Sequence, residues 1–508
     1  MKIMAIDYGD AHTGIAISDY TETLAGHSEV LHSRKQEEVL AGIRRLIAGH
    51  DVKLLVLGYP RNMDGSEGPR AEKCAAFGEL LRQETGLEVI LWDERRTTID
   101  AHNILFQNGQ NAKKRKKTVD AVAAALTAAE NGYDVTLLER QSRVGRKLLA
   151  TGNGRCNLTN CHVSPDRYHG DDAEFCAYAL QAFDTGETLQ YFAGLGLLTV
   201  SEESGRVYPA SNMAGSVLDV LRYALERPGI RVCTGQTVTA VKRTAAGFTV
   251  RTETDVFHGE KLILAAGGCA GSKVGGVMDG YRLGRALGHH RTALYPSLVQ
   301  IRTDPTYPRA LKGVKAQCGI NLRRGGQTVA ENRGEVLFTE YGVSGPAVFD
   351  ISRAAATGGE GLVCALSFFP DWEEREVLDW LRQRRQAAAG REASTLLTGS
   401  CHTRLGQMLC KAAGFTSQSA ASLSDGDLRR IAEQAVGFTL PVTGTCGFDQ
   451  AQVTAGGLQT GEFDPRTMGS RLVPGLYACG EVLDIDGDCG GFNLQWAWSS
   501  GRLAGQLR

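Results

Sequence analysis

Four acidic residues stand where a chain could gather carboxylates around a hard cation. Asp7 closes the apolar run KIMAI, Asp93 and Glu94 close EVILW, and Asp120 lies near the start of an Ala-rich run, DAVAAAL. Such oxygen donors suit Mg²⁺ or Mn²⁺. Two ions held this way activate a water and stabilise the leaving oxygen of a phosphodiester. Each acid taken alone reads equally well as a solvated strand end or, for Asp120, as a helix N-cap. A different chemistry is suggested further on. Glu139 closes DVTLLE, and an acid at that place in a dinucleotide-binding fold bonds the ribose hydroxyls. A lone Glu at a strand end is also a common exposed residue.

These residues must be positioned by strands and helices. Residues 2–6 and 14–18 read as two strands around a Gly-containing turn. Residues 36–49, 70–84 and 97–107 have helical apolar spacing, while 53–57 and 88–92 read as strands. Residues 116–131 are Ala-rich and helix-prone, with Gly132 placed to cap the end. After that helix, 133–139 is a strand and 261–268 (KLILAAGG) a strand running into glycines. Residues 232–252 suggest a β-meander, and 373–385 a charged helix. The segment 297–447 loses the Gly-rich character and reads as an insertion. Residues 477–480 and 490–505 then return to strand, Gly-rich loop and helix.

The bulk composition sets limits. With 508 residues the chain exceeds one ordinary core. Its net charge of −1 gives no global field for nucleic acid. The local exception is KKRKK at 113–117, which reads either as a solvated loop or as a phosphate-contacting arm. No stretch is long and apolar enough to span a bilayer. The opening MKIMAIDYG enters a strand pattern at once and does not read as a signal peptide. The 13 cysteines are scattered without CxxC pairs, which argues against structural zinc and suits a reducing cytoplasm.

Four blocks in order, IDYGDAHTGIAISD, VLGYPRNMDGSEGPRAEKCAAF, WDERRTT and KKTVDAVAAAL, resemble the YqgF family over residues 1 to about 125. That family comprises pre-16S rRNA nucleases and Holliday-junction-resolvase-like proteins with an RNase H-like fold. The resemblance implies catalytic carboxylates at Asp7, at Asp93 or Glu94, and at Asp120, with Asp7, Glu94 and Asp120 holding Mg or Mn. It further implies that Arg95, the loop 58–68 and the basic residues Lys113, Lys114 and Arg115 meet the phosphates of RNA or branched DNA. Where many members have Lys-Arg after the first Asp-x-Gly, this chain has Asp10-Ala11-His12.

From about 126 to 508, GRKLLATGNGRCNLTN, LILAAGG and GLYACGEVLDIDGDCGGFNLQWAWSSGRLAG resemble the BaiN/YhiN-type, aminoacetone oxidase-like flavoproteins. The resemblance implies an FAD/NAD(P)-binding fold with an inserted domain. Glu139 would hold the adenosine ribose and Thr151, Gly152, Gly154 and Asn157 would approach the flavin. Gly480, Glu481, Asp484, Gly490, Gly491 and Asn493 would wrap the flavin–ribityl end, since glycine lets backbone approach a cofactor closely. One departure is large. Members of this family open with a strand and a GxGxxG turn that cradles the pyrophosphate, and here KKTVDAVAA stands in that place. Weakened or lost FAD binding is therefore expected, with a final nuclease helix and a first flavoprotein helix merged into one.

The expected fold class is α/β multidomain. An RNase H-like domain (1–125) is followed by a truncated Rossmann-like FAD-binding domain (126–296 and 448–508) that carries an inserted mixed α/β domain (297–447). The expected activity is a metal-dependent nuclease, acting on the 5′ end of pre-16S rRNA by the resemblance. The alternatives are an FAD-dependent oxidoreductase with a small-molecule substrate, or a chimera in which only the nuclease domain folds. Among lesser features, the pair His289-His290 reads as a helix end rather than a metal pair, Cys269 as a small buried residue, and one of Trp496 and Trp498 as core.

Overall fold

Period-two apolar patterning in the first ninety residues builds a five-stranded sheet. The computed structural model describes residues 2–10, 12–18, 25–33, 35–59, 68–93, 120–145, 147–272, 275–388 and 390–508. It divides into two units, Met1–Asn111 and Ala112–Arg508. In the first, β1 (Lys2–Tyr8), β2 (His12–Ser18) and β3 (Ala25–His32) form an antiparallel meander. Helix α1 (Gln36–His50) leads to β4 (Val52–Tyr59), and α2 (Pro69–Thr85) to β5 (Glu88–Asp93). Both later strands run parallel to β1, in the order β3-β2-β1-β4-β5. Helix α2 starts on Pro69 and stops at Gly86, whose φ of 68° lets its N–H reach Arg82 O at 3.0 Å.

One face of this sheet carries Met4, Ile6, Ile15, Ile17, Leu55, Leu57 and Val89, packed against Ile43 and Leu46 of α1 and Phe77 and Leu81 of α2. The alternate residues face the other way, and no helix of the unit covers them among the described residues. Val30, Ile90 and Trp92 on that side are 49 %, 38 % and 56 % exposed. Strand β3 was not anticipated, because His27, Ser28 and Glu29 interrupt its apolar pattern. The helix expected over 97–107 lies outside the described residues.

The first described element of the second unit is α3 (Asp120–Glu130), which turns at Gly132 (φ 84°) into β6 (Val135–Glu139). After α4 (Ala214–Leu225) comes β7 (Ile230–Thr234), parallel to β6. The meander expected from Val232 begins later, as β8 (Val238–Thr244), β9 (Gly247–Thr252) and β10 (Val256–Gly259). Val232 belongs instead to the parallel pair, because α4 returns the chain beside β6. Strand β11 (Leu262–Leu264) is followed by α5 (Asp279–Ala286).

A closed antiparallel barrel then runs through β12 (Ile301–Thr303), β13 (Lys315–Arg324), β14 (Gln327–Phe338), β15 (Gly342–Ser344), β16 (Leu362–Ser367) and β17 (Phe438–Thr445). Helices α6 (Pro346–Thr357), α7 (Glu374–Ala387), α8 (Thr403–Ala412) and α9 (Asp425–Gly437) fill and flank it, with Val348, Leu381, Leu409 and Ile431 in one core. The chain returns through β18 (Leu476–Ala478), parallel to β11, and ends in α10 (Phe492–Ala504).

Among the described residues the Rossmann sheet of this unit is two separate parallel pairs, β7-β6 and β11-β18. Helix α3 packs against β6, β7 and β11, so it bridges the pairs, between which no joining strand occurs among the described residues. The segment in which the central strand was expected to be missing lies outside the described residues.

Candidate functional sites

Asp7 lies at the C-terminal end of β1 on the uncovered face of the first sheet. Strand register runs it beside Gly14 of β2, and the parallel register Ile6–Leu57 places Gly58 of β4 on its other side. Trp92 of β5 follows Gly58, and Val30 of β3 follows Gly14. Two glycines beside one carboxylate leave it unscreened, and Asp7 is exposed. The result is an open groove of about 480 Å³ floored by Ala5, Asp7, Gly14, Ala16 and Gly58, with Glu29 and Trp92 at its sides. Glu29 is engaged by Arg45 at 2.6 Å. A carboxylate oxygen donor in an open groove has the chemistry for a hard divalent cation.

The other expected nuclease residues are distributed differently. Asp93 is the last residue of β5, in register with Tyr59. Glu94, Arg95, Lys113, Lys114, Arg115 and the loop after Tyr59 lie outside the described residues. Asp120 is the first described residue of α3 and belongs to the second unit. Among the described residues no group of three or more His, Cys, Asp or Glu gathers around a metal position.

In the second unit Asp120 is 8 % exposed. Its Oδ2 accepts the Glu481 N–H at 3.3 Å, and its carbonyl takes the Cys479 thiol at 3.9 Å. Gly480 adopts φ 74° there, and a methyl group on it would overlap the Asp120 carboxylate. The turn is fixed by Gly480 N–H donating to Ser500 Oγ at 3.0 Å and by the Trp496 indole N–H donating to Gly480 O at 3.1 Å. The Glu481 carboxylate accepts from the Thr454 N–H at 2.9 Å and pairs with Lys147.

The remaining expected residues lie on several loops, with Gly491 against Asn157 and the Gly490 carbonyl accepting from Asn160 Nδ2 at 2.8 Å. Glu139 ends β6, 5 % exposed, and accepts the Gln141 N–H at 2.8 Å. The loop carrying Thr151, Gly152, Gly154 and Asn157 is held in unusual backbone, with Asn153 and Cys156 at φ 58° and 60°. The Asn157 Oδ1 is buried without a hydrogen-bond partner and lies against Gly491. Asn493 is spent on its own loop, bonding both N–H and C=O of Gly487. Asp484 Oδ2 accepts the Asp171 N–H at 3.2 Å, and burial raises its carboxyl above the ordinary range.

Sequence reasoning missed the acids between the Gly-rich loop and α6. Asp486, 1 % exposed, pairs with Arg353 of α6 at 3.1 Å, and burial pushes it up to about 6 despite that cation. Asp350 of α6 accepts the Cys489 N–H at 2.7 Å and Asn332 Nδ2 at 2.8 Å, and burial also pushes it up to about 6. Two such carboxyls can keep or release a proton close to neutrality. The alternating acids of DIDGD were the available signal. Glu462 accepts from both His289 and His290, at 2.8 and 2.7 Å, so the histidine pair is not a metal pair. Cys269 is buried beside Thr454. Trp496 and Trp498 both lie in core, because their segment is helical.

The two units define a chain of two enzyme modules, an RNase H-like sheet of the nuclease class and a flavoprotein-type Rossmann module carrying a barrel. Residues 1–127 match the family model described as Holliday junction resolvase (RuvX), and residues 121–507 match the model described as HI0933-like protein Rossmann domain. The chain belongs to the HI0933-like family over its larger part and to the RuvX family at its start. It is 39 % identical over 394 residues to a 3-dehydro-bile acid delta(4,6)-reductase of Clostridium scindens, covering 76 % of this chain and 95 % of that one. It is 29 % identical over 377 residues to the ribosomal RNA dihydrouridine synthase of Escherichia coli, covering 73 % and 91 %. At its start it is 42 % identical over 126 residues to a protein of Halothermothrix orenii named for pre-16S rRNA nuclease activity, covering 25 % and 90 %.

These families imply a divalent metal in the first unit and FAD in the second. The donor chemistry of Asp7 suits the metal. For FAD the residues divide. The buried, unpartnered Asn157 Oδ1 suits a polar ligand at the flavin end. Before α3 the sequence does not fit, since no glycine occurs between Gly109 and Asp120 to form a phosphate cradle. No helix among the described residues is long and apolar enough to cross a membrane.

Proposed function

We propose that the first unit is a metal-dependent nuclease acting on structured RNA, with the 5′ end of precursor 16S rRNA as substrate. The observation that carries this is Asp7, held open between Gly14 and Gly58 on the uncovered sheet face. Asp7, together with Asp93 or Glu94, would hold Mg²⁺ or Mn²⁺. A bound ion would supply charge neutralisation at the phosphate and a more acidic water. Arg95 and the basic residues Lys113, Lys114 and Arg115 would orient the phosphate backbone. Asp120, the third acid of the resemblance, is engaged within the second unit and is not counted in this set. RNA is favoured over branched DNA because relatives of both modules are named for ribosomal RNA.

The test is cleavage of an end-labelled 16S precursor leader and of a four-way DNA junction by the full chain, with Mg²⁺, Mn²⁺ or EDTA. Asp7→Asn is expected to lower metal-dependent cleavage by about 100-fold or more, through loss of a metal oxygen. Unchanged cleavage by Asp7→Asn would sink the assignment, and cleavage of the junction alone would move the substrate to DNA.

A second reading, a small-molecule oxidoreductase in the second unit, is favoured by the buried Asn157 Oδ1 at the Gly-rich loops. Flavin absorbance retained through desalting would support it.

A further inference from the structure

We infer that the barrel of the second unit is a hinged cap, and that Asp350 and Asp486, on opposite sides of its seam, form a proton-dependent latch holding it on the loop before Gly490. The chain enters the barrel after the strand Tyr295–Ser297, which pairs with Val453–Ala455, and leaves it at the end of β17. Both crossings carry unusual backbone. Leu298 stands at φ 49° and Gly444 at φ 133°. A buried leucine in the left-handed region is strained and is kept there by its surroundings. Such positions can absorb the dihedral change of a domain closure. The two crossings run side by side, tied by the Cys446 N–H donating to Gln300 O at 2.9 Å and the Gln452 N–H donating to Leu298 O at 3.3 Å. Helix α6 rides on the incoming one, where Ser352 Oγ accepts the Val299 N–H at 3.2 Å.

Across the seam one turn of α6 makes both links to the loop. Asp350 Oδ1 accepts the Cys489 N–H at 2.7 Å, and Arg353 Nε donates to Asp486 Oδ1 at 3.1 Å. The other oxygen of Asp486 is buried without a hydrogen-bond partner. The charged groups facing Asp486 are Arg353, His169 and Asp484, and those facing Asp350 are Asp488 and Arg167. Asp488 in turn takes His169 Nε2 at 2.8 Å and Arg167 Nε at 2.9 Å. With Asp350, Asp484, Asp486 and Asp488 all ionised, carboxylates outnumber the two arginines, and His169 adds charge only when protonated. Burial lifts Asp350 and Asp486 to about 6 in the closed seam. Opening to water returns a carboxyl to its ordinary range. The closed seam therefore holds protons that the open one releases. Closure is firmest below the ordinary carboxyl range and loosens as pH rises through about 6.

The test is amide hydrogen exchange of the full-length protein at pH 5 and pH 7.5, with rates corrected for the intrinsic effect of pH. The Cys489 N–H reports on the latch directly, since Asp350 accepts it. In wild type the opening constant at residues 486–489 is expected to rise at least about tenfold between the two pH values. Amides of the barrel strands β13 and β14 and of the pair β6-β7 should change less than about twofold. Asp350→Asn combined with Asp486→Asn removes both titrating groups and should abolish the rise at 486–489. Three outcomes overturn the latch: no rise in wild type, an equal rise in the barrel strands and in β6-β7, or a double variant that follows the wild-type course. If the double variant does not melt cooperatively, each single variant takes its place and should show a smaller rise than wild type. A single variant with the full wild-type rise overturns the part given to that residue, and two such variants overturn the latch.

Discussion

A carboxylate can serve a cation only if nothing crowds it, and the flanking glycines meet that condition for Asp7. Gly14 has ordinary strand dihedrals, so its value lies in its missing side chain. Gly14→Val should leave the sheet folded, since valine suits a strand. It should lower metal-dependent cleavage at least about tenfold by covering Asp7, in an assay where circular dichroism is unchanged. Asp7 was legible in the sequence because it ends an apolar run. Asp350 and Asp486 were not, since their environment is made by segments more than a hundred residues apart. Asp486 has a further consequence. Its folded carboxyl titrates at about 6, above the ordinary 3.8. Between those values the folded state holds the extra proton, so stability is full below the lower value and falls as pH rises through about 6. Urea unfolding from pH 4 to 7.5 should show wild type losing up to about 3 kcal/mol relative to Asp486→Asn over that window. A parallel pH course for the two proteins would contradict the burial of this group.

Helix α3 is the element on which both family patterns overlap, at residues 121–127. Its small residues satisfy both: Ala123 and Ala124 meet Gly501 of α10, and Thr127 meets Gly505. Gly505→Val places a branched side chain against Ala124 O and should cost the second unit about 1–3 kcal/mol or more by overpacking, read as a lower melting temperature. The helix and its Gly132 stop were legible from composition. Which unit it would join was not, since an Ala-rich face docks on any surface with small residues. The indole pair of α10 shows a similar limit. Alternation at Trp496 and Trp498 suggested one inward residue, but helical turn places Trp496 against Phe175 and Trp498 against Phe192. Polar residues hid β3 in the same way, for its strand character comes from pairing with β2.

At the scale of the molecule, each unit has its own buried core, with Leu57 and Phe77 in the first and separate clusters in the second. Two unfolding transitions are therefore expected in calorimetry. Leu57→Ala, at a fully buried position, should lower one of them by about 2–5 kcal/mol and leave the other in place. A single transition shifted as a whole would contradict independent cores. The two-module order was legible because each module carries its motifs in sequence. The barrel was not, since β12 to β17 close through pairings of distant segments such as Ile301 with Thr445.

The divided Rossmann sheet bears on solubility. Among the described residues no strand pairs with the second edge of β6 or of β11. Both are short and parallel, and an unpaired edge is a template for a strand from another molecule. Where such an edge stays open, folding can be correct and the protein still prone to self-association, through a row of amide and carbonyl groups that a second copy can pair with. Light scattering that rises with concentration at a fixed temperature, without loss of native circular dichroism, is the signature expected of such an edge.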